Sequence, residues 1–200
     1  MTDVPAIRAA ADERDVEHAA DLITRSFDHL AANRYLVPDA ATRLPVLQQY
    51  FHILTEHAAH GAGEVLLTDG AVLVTFDRTT DAGPPPDYDR RLADLAGSHL
   101  PRFLQIEQLL DKHHPDDPHW HLAFMAVEPD HRRRGLGNQL MAHALARVDA
   151  LGVPAYLEAT NPDNQRLYRR HGFTDMDTAP LKLDDGTPLF YRMWRTAQPH

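Results

Sequence analysis

The stretch HLAFMAVEPDHRRRGLGNQLMAHALARVDALGVPAYLEATNPDNQRLYRRHGF, residues 121–173, opens on an apolar run, Leu122 to Val127, bounded by the turn signal Glu128-Pro129-Asp130. That pattern predicts a short buried strand. Arg132-Arg133-Arg134-Gly135-Leu136-Gly137-Asn138 follows. From Leu136 apolar residues recur at helical spacing through Leu140, Ala144, Val148 and Leu151, and Gly152 supplies a C-terminal stop. A strand that runs through a glycine-containing loop into a helix presents free backbone N–H groups at the positive end of the helix dipole, which suits a phosphate or pyrophosphate. Glycines at 135 and 137 let the backbone turn tightly and an anion approach closely. The three arginines add positive charge. The Walker pattern is absent, and the third glycine of the dinucleotide pattern is replaced by Leu140. A Gly-x-Gly taken alone is equally consistent with a plain helix start.

The second half of the stretch adds specificity. Ala155 to Ala159 reads as another strand. Asn161-Pro162-Asp163-Asn164 reads as a turn and helix cap. Gln165 to His171 is a short helix ended by Gly172-Phe173. Here the chain resembles the GNAT superfamily of acetyl-CoA-dependent N-acetyltransferases. Arg-x-x-Gly-x-Gly at 132–137 looks like the superfamily's pyrophosphate loop. Asn161, Leu167-Tyr168 and Gly172-Phe173 look like its second motif. Within the superfamily the chain is most similar to the puromycin N-acetyltransferase-like actinobacterial branch, through Trp120, Asp130-His131, Gly135-Leu136-Gly137, Leu151-Gly152-Val153-Pro154 and Leu157-Glu158. A fainter likeness covers the N-terminal half.

The resemblance implies one α/β (α+β) domain over residues 1–200, with an acetyl-CoA-binding core at about 119–173. It implies a central, mostly antiparallel sheet of about seven strands, splayed between the fourth and fifth and flanked by helices. It also implies acetyl-CoA as co-substrate, no metal, and an acyl acceptor that is a primary amine of a small molecule such as an antibiotic or other secondary metabolite. Two alternatives stay open: acetylation of proteins or peptides, and a non-catalytic acyl-CoA-binding sensor. A monomer or a homodimer is expected.

Composition bounds this picture. Two hundred residues suffice for one domain with a full core. Twenty basic and 29 acidic residues give a net charge of −9, which argues against nucleic acid or an anionic membrane as partner and suits a cationic amine. There is no cysteine, so disulfides and a covalent acyl-cysteine are excluded and acetyl passes directly from CoA to acceptor. No apolar run of transmembrane length exists and the N-terminus lacks a secretory signal pattern, which points to the cytoplasm.

Outward from the central stretch, Val4 to Ala9 is expected as a strand. Asp12 to Asp15 starts a helix whose stripe is Val16, Ala19, Ala20, Ile23 and Phe27. Asp28 to Pro38 reads as a loop that helps form the acceptor pocket in the resembling family. Thr42 to His60 is a second helix with Leu44, Leu47, Phe51, Leu54 and Ala58 on one face. Glu64 to Thr68 and Ala71 to Phe76 form a hairpin around Asp69-Gly70. Residues 77–88, with Pro84-Pro85-Pro86, form a rigid loop. Asp89 to Leu95 and Leu100 to Lys112 are helical, and Leu181–Leu183 with Leu189–Trp194 closes the chain as a hairpin.

Acetyl transfer to an amine needs a neutral nucleophile, a polarised carbonyl and a proton for the departing thiolate. The resemblance places Tyr168 beside the CoA sulfur as that acid, since a phenol with a reference pKa of about 10 can protonate a thiolate. Strand alternation back from Val127 puts Met125, Ala123 and His121 on one face, and position 121 carries a base in two branches of the superfamily. His121 is therefore the candidate base. The backbone at Met125, Ala126 and Val127 is expected to pair with the pantetheine amides. The remaining CoA contacts fall on Arg132, Arg133, Arg134, Gly135, Leu136, Gly137, Asn138, Asn161, Asn164 and Tyr168. Histidines 113, 114, 119 and 121 lack the spacing and the accompanying ligands of a metal site.

Overall fold

The computed structural model describes residues 6–198. A mixed sheet of eight strands runs through it in the order β1-β2-β3-β4-β5-β8-β6, with β7 on β8. The strands are β1 (Arg8–Ala9), β2 (Gly63–Thr68), β3 (Ala71–Asp77), β4 (Trp120–Val127), β5 (Ala155–Ala159), β6 (Thr174–Asp175), β7 (Leu181–Lys182) and β8 (Pro188–Arg195). Every pairing is antiparallel except β4 with β5. The count exceeds the expected seven because Thr174–Asp175, too short to show a period in the sequence, pairs with Trp194 and Met193 of β8. Val4 and Pro5 of the expected first strand lie outside the described residues. Among those described, no helix is long and apolar enough to cross a membrane.

Among the described residues, seven helices flank the sheet: α1 (Glu13–Phe27), α2 (Ala31–Leu36), α3 (Ala40–His57), α4 (Tyr88–Ala96), α5 (Leu100–His113), α6 (Leu136–Leu151) and α7 (Pro162–Arg170). The Asp12 side chain caps α1 by accepting from the Asp15 N–H at 3.1 Å, and Val16, Ala19, Ala20 and Ile23 are buried along its stripe. The segment expected as a loop between Asp28 and Pro38 instead contains α2. No breaker interrupts Ala-Ala-Asn-Arg-Tyr-Leu, and Ala32 and Leu36, one turn apart, are both buried. Asn33 Nδ2 ties the helix to the Phe27 carbonyl at 3.0 Å. The Arg43 side chain secures its exit by bonding Asp28 and the carbonyls of Val37 and Pro38. The next helix starts two residues earlier than expected, because Asp39 caps it through the Ala41 N–H. It gives way to a looser turn at Ala58–Ala62. Leu44 and Leu151, the outer members of their stripes, are 41% and 56% exposed, so the helix ends run past the core.

The feature that shapes the middle of the sheet is a bulge in β4. Val74 pairs with Phe124 and Thr75 with Leu122, so Ala123 has no partner on β3. The extra residue reverses the alternation of side chains along the strand. Trp120 and Leu122 before it, and Met125 and Val127 after it, pack into the core under α6. Phe124 and Ala126 pack into the core under α1 and α3, and His121 lies opposite Phe76 of that same core. The expectation that His121 shares a face with Met125 and Val127 is therefore wrong. His121 points to the opposite side of the sheet.

The second shaping feature is the splay. The strands β4 and β5 pair only at Trp120–Ala155 and His121–Tyr156. Beyond that point β4 runs on to Val127 and β5 to Ala159 without pairing. Arg195 closes the far side by forking onto Asp149 of α6 at 2.6 and 2.7 Å, with both side chains nearly buried.

A cleft through the splayed sheet

A cavity of about 1000 Å³ passes through the gap between β4 and β5. Its lining joins the α6 side of the sheet (Arg132, Gly137, Asn161, Tyr168) to the side carrying α1 to α5 (Phe51, Tyr88, Glu107). Residues Met125, Ala126 and Val127 form part of the wall between, together with His121. A ligand lying beside β4 there meets a strand edge that no neighbouring strand covers.

At the α6 end, Gly135 caps the helix in the left-handed region, φ 83°, with no side chain covering the first-turn N–H groups. The free donors of a 16-residue helix thus face outward. Arg132, Arg133 and Arg134 are exposed, and among the described residues none of them pairs with a carboxylate. Of the three, Arg132 lines the cavity. Leu136 is a core residue through its side chain, so only its backbone faces the loop. The Asn138 side chain is held by His171 Nε2 at 3.0 Å, which ties the start of α6 to the end of α7. A Cβ placed on Gly137 would meet only Met125 and Val127 side-chain atoms, at 3.6 to 3.7 Å. That is ordinary contact, so the protein itself has room for an alanine there. This end fits a pyrophosphate through backbone donors and one arginine.

On the facing wall, Asn161 caps α7 by accepting from the Asn164 N–H at 2.9 Å, while Asn164 Nδ2 donates to Thr160 Oγ1 at 3.0 Å. Both asparagines therefore hold the cavity wall in shape as well as lining it. Tyr168 is 9% exposed and packs edge-on against Phe173, with ring centroids 6.1 Å apart. Burial pushes its phenol up to about 12, so it carries its proton throughout the neutral range. Its hydroxyl makes no hydrogen bond to another described residue.

Where the strands part, His121 Nε2 meets Glu158 Oε2 at 2.7 Å, with both side chains largely buried. Burial alone would raise the Glu158 carboxyl. The charge and hydrogen bond of His121, and the neighbouring Tyr156 hydroxyl, hold it below its ordinary value instead. Glu158 is thus a carboxylate at neutral pH, and the ring donates to it from Nε2–H, with Nδ1 on the other side of the ring. That Nδ1 is buried with no partner. Glu158 lines the cavity, with Oε2 held by His121 and the Tyr156 hydroxyl beside the carboxylate. Sequence reasoning gave Glu158 no role. Its signal was available only in part: Tyr156 and Glu158 alternate onto one face of β5, but which residue of β4 they meet depends on the parallel register and the bulge.

Two further histidines gather here. His119 Nδ1 donates to the Asp117 carbonyl at 2.7 Å, and His119 Nε2 faces His114 Nε2 at 3.1 Å. The His114 ring stands 5.1 Å from that of His121 and 5.0 Å from Tyr156. His113, by contrast, turns back to the Leu109 carbonyl of its own helix. Among the described residues no group of three or more His, Asp or Glu side chains is arranged to hold a metal ion. Burial, joined by the charge of His121, lowers His114 to about 4. A neutral buried histidine makes a definite stability prediction. Between about 6.5 and 4 the unfolded chain binds a proton at this position and the folded chain does not, so its stability is complete above 6.5 and declines as pH falls toward 4. Allowing for partial exposure, the loss over the whole range is about 2 kcal/mol, of which about 1 kcal/mol falls between pH 7 and pH 5. Urea unfolding at pH 7 and pH 5 should show it, and His114→Gln, which keeps an N–H donor, should lose less stability than the parent chain over that interval.

The fold and sequence can be placed against known proteins. The model for "Acetyltransferase (GNAT) family" matches residues 102–173. Among solved structures, a Corynebacterium glutamicum protein described as "histone acetyltransferase HPA2 and related acetyltransferase" superposes with a TM-score of 0.74 at 23% identity, over 98% of each chain. Arylalkylamine N-acetyltransferase 2 of Aedes aegypti superposes with a TM-score of 0.64 at 14% identity, over 97% of this chain and 99% of that one. An agmatine N-acetyltransferase gives 0.55 at 17% identity, over 96% and 98%. Residues 102–173 thus match the acetyltransferase (GNAT) family model, in a chain that shares its fold with the Corynebacterium glutamicum structure along nearly its whole length.

Proposed function

We propose that the protein is an acetyl-CoA-dependent N-acetyltransferase that moves acetyl directly to the primary amine of a small molecule. The observation that carries this is the continuous cavity through the splay. It joins the uncapped start of α6 to a walled chamber on the other face, and Glu158, His121 and Tyr168 all line it. The family match and the named activities of the structural neighbours support the amine acceptor. The enclosing helices favour a small acceptor over a protein chain. The chain is read as one domain.

Acetyl-CoA supplies the acetyl group as an activated thioester. The first-turn N–H groups of α6 and Arg132 would hold its pyrophosphate, and the open edge of β4 at Met125 to Val127 would take its amide-bearing arm. As the amine nitrogen bonds to the acyl carbon, its N–H becomes acidic enough for a carboxylate to accept. Glu158 takes that proton, and His121 positions the carboxylate through Nε2. The departing sulfur takes a proton from Tyr168, and water returns the proton from Glu158 to the phenolate.

Calorimetry with acetyl-CoA, coupled to thiol release in the presence of amines, tests this reading, and one site per chain is expected. Gly137→Val should weaken acetyl-CoA binding by at least about tenfold, and melting temperature measured in parallel separates lost ligand space from crowding of Met125 and Val127. Acetyl-CoA binding that survives Gly137→Val intact would remove this loop as the CoA site. No binding of any acyl-CoA would remove the proposed function. The likeness to the puromycin N-acetyltransferase-like branch rests on sequence motifs, and an antibiotic amine is one acceptor to include.

A further inference from the structure

On the α1-to-α5 side, the cavity is walled by rings that touch in sequence. Phe124 follows His121 on the same face of β4. Phe51 meets Phe124 edge-on with centroids 5.3 Å apart, and Tyr50 lies 5.5 Å from Phe51. Beyond Tyr50 stand Tyr88 and Glu107, the Tyr88 hydroxyl donating to the Glu107 carboxylate. Glu107 is half-buried and lines the cavity with Asp111, one turn further along α5. Among the described residues neither carboxylate forms an ion pair with a protein cation. By contrast, the half-buried Glu56 has Arg91 and Glu64 has Arg147. The chamber lining therefore carries Glu158 at the strand gap and Glu107, with Asp111 and Asp89, at the helices, joined by an aromatic wall, while Arg78 and Asp81 lie on its rim.

We infer that the acceptor is an aromatic amine carrying a second cationic group. Its reacting nitrogen sits at Glu158, its ring lies along Phe124, Phe51 and Tyr50, and its second cation faces Glu107 between the Tyr50 and Tyr88 rings. This rests on the N-acetyltransferase reading and specifies its substrate class. A flat apolar body gains burial and edge-to-face contact against such a wall. A cation beside a desolvated carboxylate and two phenol rings gains a charge-assisted hydrogen bond and cation–π attraction. An aliphatic diamine lacks the body, and a simple benzylamine lacks the second charge. Glu107 is then a specificity-determining residue for the acceptor and takes no part in the bond-making step.

The test compares kcat/KM, by thiol release, for benzylamine, 1,6-diaminohexane and 4-(aminomethyl)benzylamine, with acetyl-CoA binding measured in parallel by calorimetry. The aromatic diamine should exceed each of the other two by about tenfold or more, the size of one desolvated charge contact. In Glu107→Gln, which preserves the shape and an acceptor for the Tyr88 hydroxyl, the ratio of aromatic diamine to benzylamine should fall about tenfold. A merely structural role for Glu107 lowers both amines together and leaves the ratio alone. That result, or an aromatic diamine no better than benzylamine, overturns the inference. Normal acetyl-CoA binding without turnover of any of these amines also overturns it and leaves the CoA site standing. Absent acetyl-CoA binding overturns the underlying reading as well.

Discussion

Replacing Glu158 with glutamine should lower kcat by about 10²- to 10³-fold, the range of a lost general base, and leave acetyl-CoA affinity near its original value. The glutamine amide oxygen can still accept the hydrogen bond from His121, so the fold around the strand gap is kept and the variant removes little besides a proton acceptor. His121→Phe should behave differently, because the carboxylate survives. A drop of about tenfold is expected, with a change in the pH profile that a structural residue would not produce. In the parent chain burial works to raise Glu158 and His121 holds it below its ordinary value. The base is active when deprotonated, so its acid limb lies at low pH. Without His121 burial is opposed only by the Tyr156 hydroxyl and His114, the folded value rises, and the limb should move to higher pH. Measurement of kcat from pH 5 to 8 at saturating acetyl-CoA, with two amines of different basicity, separates this from titration of the amine itself. If Glu158→Gln turns over at the parent rate, the proton is taken elsewhere, and His121 Nδ1, buried and unpartnered, is the next group to examine.

The sequence was most informative where local rules decide the outcome. Strand, loop and helix from Leu122 to Gly152, the Asn161 cap, and the hairpin around Asp69-Gly70 are each set by neighbours a few residues apart, and each is present. The bulge at Ala123 was not legible, because nothing in His-Leu-Ala-Phe-Met distinguishes a regular strand from one with an extra residue. The register is fixed by β3, far earlier in the chain. One residue of slip moved His121 from the Met125 face to that of Glu158. The same dependence on distant partners hid the Glu158 pair and the aromatic wall, whose members come from α3, α4, α5 and β4. Helix α2 was missed for a different reason: six residues are too few to show a period, and its stability comes from Arg43 and Asn33 contacts outside the pattern. The glycine-containing loop at 132–137 was legible as a pattern, yet that Arg132 lines the cavity and that Arg133 turns through φ 63° were not.

Tyr168→Phe should lower kcat by about 10²-fold while melting temperature and acetyl-CoA affinity hold. The hydroxyl is carried on a buried ring whose contact with Phe173 is retained by phenylalanine, and no described residue hydrogen-bonds to it. Its removal leaves no protein partner unsatisfied, so the stability change should stay within about 1 kcal/mol. The direction of its pKa shift supplies the second readout. An acid works in its protonated form, and burial to about 12 keeps Tyr168 protonated well past the usual phenol range. The alkaline side of the kcat profile should therefore stay level to about pH 10, where an ordinary phenol would already have lost half its protons. A decline centred near about pH 10 in the parent chain, absent in Tyr168→Phe, would keep the acid role but place the ring in a wetter setting than the structure gives it. Equal turnover in the two proteins would remove the role altogether, leaving the thiolate to depart unassisted and Glu158 as the one side chain that handles protons in the transfer.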